Sequence, residues 1–263
     1  MKMKKSGPED YFCPVCDTSV GEFAPLPEFY RENLRKYESP IALDDMETLN
    51  VRQYSCPECG AADRDRLCAL YLEKRLGAPG KDARKVLIEF APSRAFTSLI
   101  RRKYPHVEHR TADLSMEGVD DRVDIMDMGS YPDGCADAFV CSHVLEHVSD
   151  DRKAFRELYR ILTPGGWGIL MVPILVAADS IDEEAGPLSG AERWRRFGQN
   201  DHVRIYSRGG FLARAEEAGF SVDRLGIGHF GREAFRKCGI ADGSVLYVAE
   251  KRSSAKQDVS KIG

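Results

Sequence analysis

The sequence lacks any apolar run as long as the roughly 18 residues that a membrane-spanning helix needs, so we expect no such helix. A signal peptide is not expected either, because Ser-Gly-Pro-Glu-Asp follows the basic Met1–Lys5 where an apolar stretch would stand, and we predict a cytoplasmic location. An excess of positive charge is absent as well, since 38 Lys and Arg are outnumbered by 42 Asp and Glu. The resulting net charge of −4 provides no global basic field for nucleic acid or anionic lipid.

Cysteine is well represented, but only four of the eight cysteines have a paired spacing. Cys13 and Cys16 form one Cys-Pro-X-Cys pair, and Cys56 and Cys59 form a second. A pair of this kind on a tight turn directs two thiolates at one point, and two pairs complete a tetrahedral site. We therefore expect structural Zn²⁺ at these four residues, with redox pairs or disulfides as the alternative. The other four are expected to be small buried hydrophobic residues: Cys68, Cys135, Cys141 and Cys238.

The 39 residues between the two pairs exceed the usual spacing of a zinc ribbon, so an inserted helix is predicted at residues 26–37. We delimit residues 1–80 as a zinc-ribbon-like module. This module carries 11 basic and 14 acidic side chains, whereas a module that grips RNA needs positive charge for the phosphates. The module is accordingly predicted to be a scaffold or a lid, and nucleic acid is not expected as a partner.

From residue 85 onward, short apolar segments alternate with amphipathic ones, which predicts an α/β fold with a mostly parallel sheet. Strands are predicted at residues 86–90, 107–111, 122–126, 138–142, 167–172, 221–225 and 244–250. Helices are predicted at residues 96–103, 151–162 and 209–218. This domain is assigned residues 81–252, and residues 253–263 are expected to be a flexible tail. Ligands of such sheets bind at the carboxyl ends of the strands.

Those carboxyl ends carry residue types that suit a nucleotide. The turn after the first strand has small residues, Ala91, Ser93 and Ala95, at the positions where such a turn normally has glycines. Asp113, at the end of the second strand, is positioned for both hydroxyls of a ribose, and a helix N-cap is the alternative. Asp124, at the end of the third strand, suits an adenine amino group, and a solvated acidic loop is the alternative.

The stretch from Asp137 to Pro173 resembles the class I S-adenosylmethionine-dependent methyltransferases, and within them the type 11-like domain. The resemblance is carried by His-Val-Leu-Glu-His-Val at residues 143–148 and by Leu-Thr-Pro-Gly-Gly at residues 162–166, which precedes a buried strand. It covers roughly residues 84–250. It implies a Rossmann-like seven-stranded sheet whose last strand is antiparallel, and S-adenosyl-L-methionine as the cofactor.

By position, the resemblance also implies seven residues that hold the cofactor. For the methionine end of the cofactor they are Glu89, Ala91 and Ser93, and for its ribose Asp113. For the adenine they are Asp124 and Ile125, and Ser142 is a further contact from the fourth strand. The sequence departs from the family pattern in the missing glycines of the first turn. The narrower turn implies that the methionine end binds differently or with lower affinity.

Three histidines are candidates for removing a proton from the methyl acceptor. His202 follows the fifth strand, on the expected acceptor side, and is the first choice for a general base, with a structural histidine as the alternative. His143 and His147 are the other candidates. Together with Glu146 they also match a metal-ligand pattern with one helical turn between ligands, and a loop with one packed and one capping histidine is the alternative.

The segment at residues 192–206 is expected to close over the acceptor. Arg195 and Arg196, with Arg193 and Arg204 nearby, suit a phosphate or carboxylate, and Trp194 suits a flat or sugar face. A solvated helix with a buried tryptophan is the alternative.

The expected function is O-methylation of a small-molecule or sugar acceptor. An RNA or protein methyltransferase that recognises its polymer through the zinc module is one alternative. A zinc-stabilised binding protein without catalytic activity is another.

Overall fold

The structure, a computed structural model, describes residues 11–77 and 85–253. The predicted boundary between residues 80 and 81 lies outside the described residues, as does the predicted tail beyond its first residue. Within the described ranges, no helix combines the length and the apolar character that crossing a bilayer requires.

The described residues form strands and helices in an alternating order. The strands are β1 (Tyr11–Cys13), β2 (Thr18–Val20), β3 (Val86–Phe90), β4 (Glu108–Asp113), β5 (Asp121–Arg122), β6 (Ala136–Ser142), β7 (Leu162–Met171), β8 (Asp182–Glu183), β9 (Arg204–Ile205), β10 (Ser221–Leu225) and β11 (Leu246–Glu250). The helices are α1 (Glu28–Lys36), α2 (Asp63–Leu76), α3 (Arg94–Lys103), α4 (Asp151–Ile161), α5 (Gly190–Phe197), α6 (Arg208–Glu217), α7 (Ile227–Phe230) and α8 (Arg232–Lys237), with a short 3₁₀ helix at Leu43–Asp45.

Seven strands make one central sheet in the order β10-β11-β7-β6-β3-β4-β5. Neighbouring strands from β7 to β5 run parallel, and β11 runs antiparallel to both β7 and β10. The predicted α/β fold, the seven-stranded sheet and its antiparallel last strand are thereby confirmed. The strands predicted at residues 86–90 and 221–225 have those bounds in the structure.

The third strand of the predicted sheet is shorter than expected, because β5 ends at Arg122. Two hydrogen bonds turn the chain away from the ladder after this point. The backbone N–H of Met126 donates to Asp124 Oδ1 at 2.8 Å, and the N–H of Asp127 donates to the Asp124 carbonyl at 2.9 Å. A local side-chain turn thus competes successfully with strand pairing.

The two Cys-Pro-X-Cys pairs form matching turns. The N–H of Asp17 donates to the Cys13 carbonyl and that of Gly60 to the Cys56 carbonyl, each at 2.9 Å. Asp17 and Gly60 have φ values of 58° and 77°, a left-handed conformation that glycine adopts freely and aspartate tolerates. Each turn therefore directs its two thiols to one side.

Helix α2 joins the N-terminal residues to the sheet. It buries Leu67 and Leu72 in the same hydrophobic cluster as Leu87 of β3 and Val140 of β6. The residues before the predicted boundary thus share a core with the sheet.

Buried Arg66 of α2 ties two distant loops together. Its guanidinium donates to five backbone carbonyls, those of Gln53, Tyr54, Ala61, Cys238 and Gly239. Because a buried charge needs all its donors satisfied, this arrangement links the zinc-ribbon-like module to the chain between α8 and β11.

The segment between the two cysteine pairs, residues 17–55, is called the insertion below. The predicted helix within it is confirmed as α1, which packs on α5 through a cluster that includes Leu34 and Phe197. Glu47 anchors the rest of the insertion, since its carboxylate accepts from Tyr247 and from Arg208, each at 2.5 Å. The insertion is thereby held against α6 and the antiparallel strand of the sheet.

Candidate functional site

The carboxyl ends of β3, β4 and β6 meet at one edge of the sheet. Parallel pairing puts Phe90 of β3 level with Ala112 of β4 and Cys141 of β6. The next residues along the three strands therefore lie together at this edge: Ala91, Asp113 and Ser142. Three of the predicted cofactor residues, far apart in sequence, are brought to one place.

The turn after β3 has a glycine-like conformation without a glycine. Ala91 has a φ of 49°, in the left-handed region, and its N–H donates to the Ala112 carbonyl at 2.9 Å. Ser93 caps α3, because its hydroxyl accepts from the N–H of Phe96 at 3.2 Å. The turn thus leads into a helix N-terminus beside the sheet edge, which is the geometry of nucleotide-binding turns.

Glu89 is buried within the protein and bonds to three neighbours. Its carboxylate accepts from the Thr97 hydroxyl at 2.8 Å and the Ser93 N–H at 3.2 Å, and it lies 2.9 Å from His109 Nε2. Only 2% of the residue is exposed. In this conformation Glu89 fastens β3 to β4 and to the start of α3, so its predicted contact with the cofactor remains a prediction.

The two carboxylate oxygens of Asp113 have different surroundings. Its Oδ1 accepts from the N–H groups of Ser115 and Met116, each at 2.7 Å, which caps a turn and not the helix that the alternative interpretation expected. No hydrogen bond to its Oδ2 occurs within the described part of the chain, so this oxygen is free for a ribose hydroxyl. Asp124 caps the turn that ends β5, and Ile125 beside it is buried. The sheet edge therefore fits a nucleoside, although the adenine contacts stay predictions.

The four paired cysteines come together as zinc ligands do. Their sulfur atoms all lie within 4.8 Å of one another, with 3.8 Å between Cys13 and Cys59 and 3.9 Å between Cys16 and Cys56. A tetrahedral Zn²⁺ with Zn–S bonds of about 2.3 Å separates its sulfur ligands by about 3.8 Å. All four are free thiols, so the arrangement fits structural zinc and does not contain the alternative disulfides.

Burial makes two of the four thiols, those of Cys13 and Cys59, hard to ionise by themselves. It raises the pKa of the Cys59 thiol to about 12 and that of Cys13 well above its usual range. Thiolates at this position accordingly need a cation between them, which a zinc ion supplies.

A cavity of about 330 Å³ lies over the carboxyl ends of β6 and β7. The insertion supplies nine of its lining residues, among them Tyr30 and Tyr54. The opposite wall comes from the sheet, at His143 and residues 172–174, and from the segment at residues 197–205. Because a cysteine pair bounds the insertion at each end, a zinc ion bound by the four cysteines would hold one wall of this cavity in place.

The three histidines that were predicted to be catalytic all line this cavity and surround Glu146. His143 Nδ1 lies 3.0 Å and His147 Nε2 lies 4.0 Å from Glu146 Oε1. The rings of His147 and His202 meet edge to face, with 4.8 Å between their centroids. The sequence predicted His143, Glu146 and His147 as one group, and the structure adds His202 to it.

Hydrogen bonds to carbonyls assign the tautomers of two of these rings. Nδ1 of His202 lies 3.3 Å from the Phe197 carbonyl, and Nδ1 of His147 lies 3.3 Å from the Asp201 carbonyl. The proton is therefore assigned to Nδ1 in both rings, and Nε2 carries a lone pair. Burial lowers the pKa of His202 to about 4, so this ring is neutral near pH 7.

Arg204 holds the loop that carries Glu146 and His147. Its guanidinium donates to the carbonyls of Leu145 and Val148, each at 2.6 Å, and to that of Ser149 at 3.1 Å. Arg204 is 3% exposed and does not line the cavity, which corrects its expected role in binding an anionic acceptor. It is a positioning residue for the histidine loop.

The predicted acceptor contacts of α5 are not supported by the geometry. Trp194 is 4% exposed and stacks on Tyr37, with 6.2 Å between centroids, so its faces are covered within the protein. Arg195 pairs with Glu192 at 3.4 Å, and Arg196 pairs with Asp182 at 3.2 Å. None of these three lines the cavity, because α5 turns its apolar side toward α1.

Other cavity residues were missed by sequence reasoning. Tyr30, Tyr54 and Arg64 line the cavity, and Arg64 donates to the Tyr54 hydroxyl at 3.0 Å. They come from the insertion and the start of α2, where no motif marks them. The fold alone carries them over the end of the sheet.

A known protein family matches the part of the chain that forms the parallel strands of the sheet. Residues 87–170, which run from β3 to β7, match a family model described as a methyltransferase domain. No curated protein matches the sequence.

Solved structures provide distant likenesses. An S-adenosylmethionine-dependent methyltransferase from Archaeoglobus fulgidus is 13% identical, with 74% of this chain and 96% of that chain covered and a TM-score of 0.45. The Burkholderia thailandensis 1,6-didemethyltoxoflavin-N1-methyltransferase, solved with S-adenosylhomocysteine, is 12% identical, with 72% and 78% covered and a TM-score of 0.46. Phosphoethanolamine N-methyltransferase 2 from Haemonchus contortus, solved with S-adenosyl-L-methionine, is 15% identical, with 74% and 53% covered and a TM-score of 0.46.

The matched domain and the sheet together identify the class of protein. The chain carries a methyltransferase domain with the Rossmann-like fold expected from the resemblance. The predicted methyltransferase domain is thereby confirmed for residues 87–170, and this domain supports the predicted enzyme class and the cofactor S-adenosylmethionine.

Proposed function

We propose that the enzyme methylates an oxygen atom of a small-molecule or sugar acceptor bound in the cavity above β6 and β7. The observation that carries this proposal is the adjacency of two residues at the end of β6. Ser142 lies at the cofactor edge of the sheet, and His143, the next residue, lines the cavity. An acceptor bound in the cavity would therefore lie next to the methyl group of a cofactor bound at the edge of the sheet.

Methyl transfer from a sulfonium depends mainly on alignment, and a hydroxyl acceptor must also lose its proton. S-adenosylmethionine supplies the methyl group when it is bound. His143 is the proposed base, because its Nδ1 faces the Glu146 carboxylate at 3.0 Å, as in other bases that a carboxylate orients. Burial lowers the pKa of His143, so the ring is neutral and able to accept a proton near pH 7.

The size and lining of the cavity favour a small acceptor. Its volume of about 330 Å³ is at the lower end of the range for small-molecule sites. The polar groups of Tyr30, Tyr54 and Arg64 stand among apolar side chains from the insertion, which suits a ligand with few hydroxyl groups. The acidic balance of the zinc module argues against an RNA acceptor. The cysteine site, which needs reduced thiols, supports the proposed cytoplasmic location.

The experiment is transfer of a labelled methyl group from S-adenosylmethionine into fractionated cell extract, with cofactor binding measured by calorimetry. We expect label in the small-molecule or glycan fraction. His143→Ala should lower the rate by about 10²–10⁴-fold with unchanged cofactor affinity. His106→Ala, a change at an exposed histidine outside the cavity lining, is the matched control.

Two results would overturn the proposal. Label that enters only protein or RNA would indicate a polymer acceptor. Absence of cofactor binding would leave the third interpretation, a binding protein without catalysis.

A further inference from the structure

Two histidines that line the cavity, together with the buried Glu146 beside them, offer ligand atoms to a single point. One carboxylate oxygen of Glu146 and one ring nitrogen each of His147 and His202 all lie within 4.8 Å of one another. This group is separate from the four cysteines. Two imidazoles and one carboxylate are a ligand set that occupies one side of a metal ion and leaves the other side open.

Two of the three ligand residues, Glu146 and His202, are buried, whereas His147 is partly exposed. Glu146 is fully buried, and neither of its carboxylate oxygens has a hydrogen bond of acceptable geometry. His202 is 2% exposed, and its Nε2 also lacks a partner. His143 Nδ1 lies 3.0 Å from Glu146 Oε1, but Oε2 has no hydrogen-bond partner among the described residues, so a cation is expected beside this buried carboxylate.

The surroundings orient these atoms as the surroundings of metal ligands do. Metal-binding histidines usually donate their second ring N–H to a carbonyl or carboxylate, which fixes the ring and the tautomer. His202 does so toward the Phe197 carbonyl, and His147 does so toward the Asp201 carbonyl, each at 3.3 Å. Both Nε2 atoms are thereby left with a lone pair.

The two chain segments that supply the ligands are joined to each other. The N–H of Val203 donates to the Glu146 carbonyl at 2.8 Å. Val203 directly follows His202, and Glu146 directly precedes His147, so this bond joins the two segments. Arg204 fixes the rest of the loop through three carbonyls. The arrangement is therefore held by the fold before any ion arrives.

We propose that Glu146, His147 and His202 bind a divalent first-row transition-metal ion whose open positions face the cavity. Imidazole ligands favour transition-metal ions such as Fe²⁺ over Mg²⁺ and Ca²⁺, which take oxygen ligands, and Mn²⁺ accepts a mixed set of nitrogen and oxygen ligands. The metal site follows from the geometry of these three residues alone. Its role, to hold the acceptor, rests on the proposed function.

In that role the ion binds the acceptor's hydroxyl oxygen and makes its proton more acidic. The proton passes to His143, the oxygen forms a bond to the methyl carbon, and the carbon–sulfur bond breaks. The products are the methylated acceptor, S-adenosylhomocysteine and one proton. His202, expected from sequence to be the base, then acts as a ligand that positions the acceptor.

The test is titration of the full chain with Mn²⁺ alone, followed by electron paramagnetic resonance, with zinc content measured in parallel. We expect one bound Mn²⁺ per chain with zinc unchanged, because thiolates select zinc over manganese. Glu146→Gln and His147→Gln should each weaken Mn²⁺ binding by about 100-fold or more. His147 is partly exposed and Glu146 is fully buried, so we expect replacement of His147 to disturb the fold less than replacement of Glu146.

His106→Ala is the matched control and should leave Mn²⁺ binding unchanged. The proposal is overturned if the wild-type chain binds no Mn²⁺. It is also overturned if binding persists in both Glu146→Gln and His147→Gln. Bound Mn²⁺ without any methyl transfer would instead count against the proposed function and leave the metal site standing.

Discussion

Two residues that directly follow strands of the sheet adopt a backbone conformation that is unusual for side chains other than glycine. Ala91 after β3 and His143 after β6 have φ values of 49° and 58°. The left-handed region costs roughly 1–2 kcal/mol for a residue with a Cβ atom. One residue lies at the proposed cofactor edge and the other lines the cavity, so the strain occurs between the two proposed binding sites.

Asp113 is the residue whose role is most directly separable by mutation. Asp113→Asn keeps an oxygen for the cap on Ser115 and Met116 but removes the charge that binds a ribose. We expect cofactor affinity to fall by roughly 10–100-fold, since charge-assisted hydrogen bonds contribute about 1.5–3 kcal/mol each. Calorimetry measures the affinity, and thermal unfolding should change little. Equal affinity of the variant and the wild type would mean that Asp113 is only a cap.

At the scale of elements, the insertion does most to define the acceptor site. It lies between two cysteine turns and provides one wall of the cavity, while α1 within it packs on α5. Only five of its 39 residues are buried hydrophobic ones, namely Val20, Phe23, Leu26, Leu34 and Ile41, so zinc at its two ends is expected to contribute much of its stability.

Cys16→Ser should therefore release zinc and loosen the insertion. We expect zinc content to fall from one ion per chain to none, and proteolysis within residues 17–55 to become faster than in the wild type. Cofactor affinity should change less, because the sheet edge does not depend on the cysteines. Cys135→Ser, a change at an unpaired cysteine, serves as the control. Equal zinc content in Cys16→Ser and the wild type would show that the four paired cysteines do not bind zinc.

At the scale of the whole molecule, the zinc-ribbon-like module and the sheet are one packed unit. Leu67 and Leu72 share a cluster with the sheet, and Glu47 joins the insertion to Tyr247 of β11. Arg66 completes this connection through five carbonyls, among them that of Cys238. Loss of these contacts is therefore expected to affect the stability of the entire protein.

Arg66→Lys should be strongly destabilising although it keeps the charge. A lysine has three donors on one nitrogen and cannot reach five carbonyls spread over two loops. At least two buried bonds are lost, so we expect about 3–5 kcal/mol less free energy of unfolding. Denaturant unfolding measures this, with Arg52→Lys at an exposed position as the control. A loss below about 1 kcal/mol in Arg66→Lys would show that the network is not essential.

The sequence by itself predicted most strands of the central sheet and the grouping of the four paired cysteines. Hydrophobic periodicity depends on neighbours two to four residues apart, so strands such as β3 and β10 were predicted with their observed bounds. The spacing of the cysteines within each pair is equally local. Parallel strands bring their carboxyl ends together in any sheet of this kind, so Ala91, Asp113 and Ser142 could be placed side by side.

The cavity and the histidine cluster were decided only by the tertiary structure. His202 reaches Glu146 because Val203 pairs with the loop after β6, a contact between segments far apart in the chain. Trp194 was predicted to bind the acceptor, but the packing of α5 on α1 covers its ring. Neither contact leaves a periodic pattern in the sequence, because each depends on how the insertion and the segment before β9 fold over the sheet.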